Sequence, residues 1–165
     1  MKKLMLVLIA SACGAAFTIS ASAQAPAPQA DQAIADAVIA LTKAQWAAGI
    51  KDQTNVAEQT KDMSDDYTEF NGDYSTRLDG KAMNSKLAEA AGKDSGKTIG
   101  AEMANPKVQV YNGTVAILTY NYIGLIQDKD GKTTPARAKS TRVFVKKGEK
   151  WVMVHANFGS DPLPK

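Results

Sequence analysis

Tight turns divide the last third of this chain into long extended runs, and that pattern limits the available folds more than any other feature. Asn112-Gly113 is a strong two-residue hairpin signal, because both residues accept the positive φ that such a turn needs. It joins residues 108–111 to residues 114–127, a stretch rich in β-branched and aromatic side chains. Asp128, Lys129, Asp130 and Gly131 form the next turn, residues 136–146 return, Lys147-Gly148-Glu149 turns again, and residues 150–157 close the series. Strands joined by such short connections are antiparallel neighbours. Long strands of this kind twist and curve, so the concave face of the sheet needs a cover.

The first half of the chain supplies helices for that cover. Asp31 is placed to cap a helix in which Ile34, Val38, Leu41 and Ala48 recur at helical spacing, with Ala37 and Ala44 on the same side and a break at Gly49. Residues 54–63 read as a second, more polar helix. Residues 67–70 alternate as a strand and meet the turn signal Asn71-Gly72-Asp73, after which residues 74–78 read as another short strand. A helix over 80–91, carrying Met83 and Leu87 and closed by Gly92, is followed by a loop over 93–97. Helices followed by a meander make an α+β domain: N-terminal helices packed on a strongly curved antiparallel sheet that encloses a pocket.

The N-terminus reads as a targeting segment. Lys2 and Lys3 precede an apolar run that ends in Ala21-Ser22-Ala23, the pattern of a secretory signal peptide and too short for a membrane span. The expected organisation is a signal peptide over 1–23, a Pro/Ala-rich tether over 24–30 and one domain over 31–165, with a periplasmic or secreted location. Cys13 offers the less favoured alternative of a lipid anchor. It is the only cysteine in the chain, so cleavage after Ala23 leaves no disulfide or thiolate chemistry. The net charge of +3 includes Lys2 and Lys3, and no basic stripe points to nucleic acid. The sequence offers no phosphate loop, nucleophile triad or metal-ligand cluster, so no cofactor or metal is expected.

The stretch from Ser140 to His155, with Thr141-Arg142-Val143-Phe144, a turn, Lys150-Trp151, then Val152-Met153-Val154 and His155, resembles the last two strands of SnoaL-like domains of the nuclear transport factor 2-like superfamily. It is especially similar to the association domain of calcium/calmodulin-dependent kinase II. Glu69-Phe70, and Leu78-Asp79-Gly80 opening a helix, are similar to the first strand pair and third helix of that family. The resemblance implies a cone-shaped barrel, a pocket at its wide end and a homodimer formed through the sheet. Members include isomerases, dehydratases, cyclases and non-catalytic scaffolds, so the fold does not choose a reaction.

Alternation places Arg142 and Phe144 on one strand face and Thr141, Val143 and Val145 on the other. The resemblance carries Arg142 onto a pocket arginine that accepts carboxylates, while the residues alone also allow an internal bridge to Glu69 or Asp66. Other basic positions of that pocket are here Tyr122, Asn84 and Phe158, and a second histidine is Asn157, which favours a more neutral polar or aromatic ligand. The ligand-binding candidates are therefore Arg142, Tyr122, Trp46, Tyr67, Asn84 and Tyr120. Catalytic candidates are Asp66 and Glu69 beside a tyrosine donor, and His155, the only histidine. The first reading is a small-molecule binding module. The alternatives are a cofactor-free isomerase, dehydratase or cyclase, and a dimeric scaffold.

Overall fold

A computed structural model describes residues 29–92 and 96–161. The proposed signal peptide, residues 24–28 of the tether and most of the 93–97 loop lie outside the described residues. The chain runs α1 (Gln29–Lys51), α2 (Val56–Thr60), β1 (Met63–Phe70), β2 (Leu78–Asp79), α3 (Lys81–Ala91), β3 (Lys97–Tyr111), β4 (Val115–Gln127), β5 (Thr133–Lys147) and β6 (Lys150–Ser160). The turns fall where the sequence places them, with φ of 51° at Asn112, 65° at Gly113, 82° at Gly131 and 62° at Gly148. This is the α+β architecture expected from the sequence, with helices packed on a curved sheet.

The sheet order is β2-β1-β6-β5-β4-β3. All neighbours are antiparallel except β1 and β6, which run parallel. The last strand is thus inserted between β1 and β5. On the concave face Ala116, Leu118 and Tyr120 of β4 lie opposite Phe144, Arg142 and Ser140 of β5. Met153 and Ala156 of β6 and Met63, Tyr67 and Glu69 of β1 complete the buried layer. Helix α1 crosses this face over β3 and β4 with Val38 and Thr42 buried. The Thr42 hydroxyl donates to the Val38 carbonyl at 2.9 Å, so its polar atom costs little inside. Burying a side chain such as Leu118 stabilises the domain by about 1.5–3 kcal/mol.

Several boundaries differ from the sequence reading. Helix α1 starts at Gln29, which puts Asp31 inside its first turn instead of at its cap, and it continues through Gly49 to Lys51. Helix α2 is shorter than expected because Asn55 caps it, accepting from the Glu58 amide at 3.2 Å, and Met63 already belongs to β1. The strand expected over 74–78 reduces to Leu78–Asp79. Strand β3 begins at Lys97, well before Val108. Pro106 hid that extension. A proline is tolerated because β3 is an edge strand, bulged between Ala104 and Lys107, with Asn105 at a φ of 50°.

Candidate functional site

Where α1 and α3 cross the concave face they leave a cavity of about 360 Å³. A second cavity of about 610 Å³ opens over the Asn71–Asp73 turn and the ends of β5 and β6. Trp46, Glu69, Tyr122, Arg142 and Phe158 line both.

Arg142 is 5% exposed. Its Nε donates to the Tyr120 hydroxyl at 2.8 Å, and its Nη1 donates to the Gln45 side-chain carbonyl and lies 3.5 Å from the Met153 sulfur. The guanidinium carbon lies 5.5 Å from the Phe158 ring centre and 6.0 Å from that of Tyr120. No carboxylate among the described residues forms an ion pair with it. The internal bridge to Glu69 or Asp66 is therefore not made, and this buried positive charge is held by neutral groups.

Glu69 occupies the facing wall, from β1. Its carboxylate accepts from the Tyr67 hydroxyl at 2.6 Å, from Asn84 Nδ2 at 3.1 Å and from Asn71 Nδ2. Tyr67 is buried, and burial first, then the charge and hydrogen bond of Glu69, push its ionisation well above the ordinary phenol range. Asn84, presented by α3, thus holds Glu69 in place.

Trp46 forms the aromatic wall. It meets the Tyr120 ring edgewise at 5.5 Å and the Tyr122 ring edgewise at 5.3 Å. Burial also raises the Tyr122 phenol above its ordinary value. The structure thus gathers the seven candidates on the concave face, with Tyr67 and Asn84 on the first cavity, Tyr120 on the second, and Trp46, Glu69, Tyr122 and Arg142 on both.

Two candidates fall outside it. Asp66 points into solvent, bonded to the Ser64 hydroxyl and 3.7 Å from Lys147 Nζ. The Ser64 hydrogen bond and then the lysine charge hold its carboxyl below the usual range. Alternation along β1 puts Tyr67 and Glu69 inward and Asp66 outward, and a register irregularity between Met63 and Thr68 leaves Asp65 outward as well. His155 lies on the convex face, with Nδ1 2.9 Å from the Thr68 hydroxyl and its ring 6.2 Å from that of Phe70. The bulge between Val143 and Phe144 breaks the alternation of β6, so Met153 and Ala156 face inward and His155 does not. Neither residue is placed for chemistry in the cavity.

Gln45 was not among the sequence candidates. Its signal was present, since Val38, Thr42 and Gln45 share one helical face at i, i+4 and i+7. Among the described residues no group of three His, Cys, Asp or Glu is arranged to hold a metal ion, and no helix is long and apolar enough to cross a membrane.

The family model of the calcium/calmodulin dependent protein kinase II association domain matches residues 34–162. A search of curated proteins finds no significant match. Among solved structures, the association domain of C. elegans CaMKII superimposes with a TM-score of 0.67 at 18% identity, covering 81% of this chain and 100% of that one. A nuclear transport factor 2-like protein from Pseudomonas putida gives 0.63 at 15% identity, covering 79% and 88%. A candidate ketosteroid isomerase from Parabacteroides distasonis gives 0.60 at 17% identity, covering 74% and 83%. At these identities the likeness is one of fold.

Proposed function

This chain belongs to the calcium/calmodulin dependent protein kinase II association domain family, and we propose that it is an exported, self-associating module that binds a small aromatic or polar molecule carrying an oxyanion. One observation carries this reading. Arg142, buried in a cavity wall, has no carboxylate partner among the described residues, although Glu69 lines the same space. A buried guanidinium gains most from a carboxylate held bidentately. Trp46 and Tyr122 offer a flat ligand aromatic contact, and the remaining acceptor position of Glu69 suits a donor at the ligand's other end.

The acid/base alternative finds its support in the Tyr67–Glu69 pair and in the fold shared with the Parabacteroides distasonis protein. It is the weaker reading. Glu69 already accepts three hydrogen bonds, and the Tyr67 proton is directed at Glu69 instead of at a substrate. Self-association is supported by the convex face of the sheet, where Val115, Ile117, Val143 and Val145 are only half-buried. Export rests on the pattern of residues 1–23.

The test is thermal-shift screening of the chain against small aromatic acids and phenols. A stabilising compound whose effect disappears in Arg142→Lys supports the module. A library with no stabilising compound removes the ligand and leaves the scaffold.

A further inference from the structure

An Asn-Gly step is the place in a chain where the backbone most easily attacks a side chain, because glycine has no β-carbon to keep its nitrogen away from the preceding carboxamide. This chain has two, Asn71-Gly72 and Asn112-Gly113, and the fold treats them differently. Asn71 Oδ1 accepts from the Asp73 amide at 2.9 Å, which folds the carboxamide back across the Gly72 peptide. Asn71 Nδ2 donates to Glu69 Oε1. Gly72 is exposed, its amide bonds to no group among the described residues, and nothing lies within 4 Å of the position a β-carbon would take. Asn112 has no such loop. It sits in the β3–β4 hairpin at a φ of 51°, where the Thr114 amide bonds to the Tyr111 carbonyl.

The arrangement at Asn71 matches the needs of deamidation. Gly72 N attacks Asn71 Cγ, and the Asp73 amide stabilises the charge that develops on Oδ1. The Cγ–Nδ2 bond then breaks, and ammonia departs with the proton that Gly72 gives up. Glu69 stands beside the departing nitrogen and stabilises its protonated form. Water opens the resulting cyclic imide, at Cγ to leave aspartate or at the main-chain carbonyl to leave isoaspartate. The net change is amide plus water to carboxylate plus ammonium, with no oxidant or further reactant.

We propose that Asn71 is a deamidation site that the folded chain itself promotes, through the Asp73 amide and Glu69. Asn71 and Glu69 both line the 610 Å³ cavity. Conversion removes a donor from Glu69 and puts a second carboxylate in its place, so the aged chain carries a pair of like charges on a wall where the fresh chain carries one. The inference does not depend on the cavity holding a ligand.

The experiment incubates the parent chain at mildly alkaline pH, folded in buffer and unfolded in urea, and follows the amide-to-acid mass shift of the peptides that contain Asn71 and Asn112. Asn71 is expected to convert about fivefold faster in the folded chain, because its reacting atoms are already brought together, and Asn112 no faster. Glu69→Gln, incubated below its own melting transition, is expected to lose that acceleration. Asn71→Asp, which reproduces the product, is expected to melt about 4 °C below the parent. A folded-state rate for Asn71 at or below the unfolded rate overturns the inference, because the turn then holds the carboxamide away from Gly72. Equal acceleration of both asparagines overturns it as an effect of solvent. An acceleration that survives Glu69→Gln overturns the role given to Glu69, and parent-like melting of Asn71→Asp overturns the consequence for the cavity wall.

Discussion

The Tyr122 ring lies folded over Gly124, its neighbour on the same face of β4: a β-carbon added at Gly124 would fall 2.6 Å from the ring's Cζ. The missing side chain is what lets the phenol lie along the strand and meet Trp46 edgewise. Gly124→Ala is therefore expected to push Tyr122 into the cavity at a cost of about 1–3 kcal/mol, the usual range for overpacking. Urea denaturation measures the loss. An unchanged midpoint would mean that the ring finds an equivalent position without strain.

Glu69→Gln tests the donor cage on β1. Tyr67, Asn71 and Asn84 all donate to this side chain, and a glutamine amide turns an N–H toward at least one of them. The expected destabilisation is about 1–3 kcal/mol, the cost of leaving a buried donor unpaired. Equal stability of parent and variant would show that one of those three bonds is dispensable.

The pH dependence of stability follows from Tyr67. Its ionisation in the folded protein lies above the ordinary value of 10.0, so the unfolded chain loses that proton first as the pH rises. Stability is intact below pH 10 and falls as the pH climbs through the folded-state value, by up to about 1.4 kcal/mol per unit for one group. Tyr122 shifts in the same direction. Melting curves between pH 8 and 11 should show a shallower decline in Tyr67→Phe. A decline of equal slope in both proteins would assign the effect to other groups.

His155→Ala separates the two faces of the sheet. The variant loses the bond to Thr68 and the contact with Phe70, so a stability loss of about 1 kcal/mol is expected. Ligand affinity should change less than twofold. A strong loss of affinity at unchanged stability would place His155 in the binding machinery after all.

Convex-face residues report on self-association. Ile117→Lys and Val143→Glu put charges on half-buried positions of neighbouring strands, paired in register. Light scattering should show the parent as a dimer and both variants as folded monomers. A monomeric parent would leave that face without a role in assembly.

Regular alternation and turn chemistry made most of this molecule legible in its sequence. Asn112-Gly113 and Gly148 fixed the hairpins, and period-two spacing put Arg142 and Phe144 on one face, which is the buried one. Legibility failed at irregularities of the backbone. The bulge opposite Met153 and His155 changes which residues of β6 face the cavity, and the break in β1 turns Ser64 inward and Asp65 outward against the alternation. Such bulges leave the local residue pattern almost untouched, because they are fixed by pairing with strands distant in sequence. The partners of Arg142 were hidden for the same reason: Gln45 is far away along the chain and adjacent only after α1 has docked.

The insertion of β6 between β1 and β5 has a kinetic meaning. Glu69 and Arg142 are carried by strands that never touch, and the last strand is the only bridge between them. During synthesis the hairpins of β3, β4 and β5 can form locally, yet the wall that carries Glu69 has only the two-residue β2 to pair with until the C-terminal strand is released. Contacts of such sequence separation are slow to form. A chain stalled or cut before Lys150 would hold every cavity residue on α1, β1, β4 and β5 and still have no cavity, so the closed cavity is also a checkpoint for the arrival of the last strand.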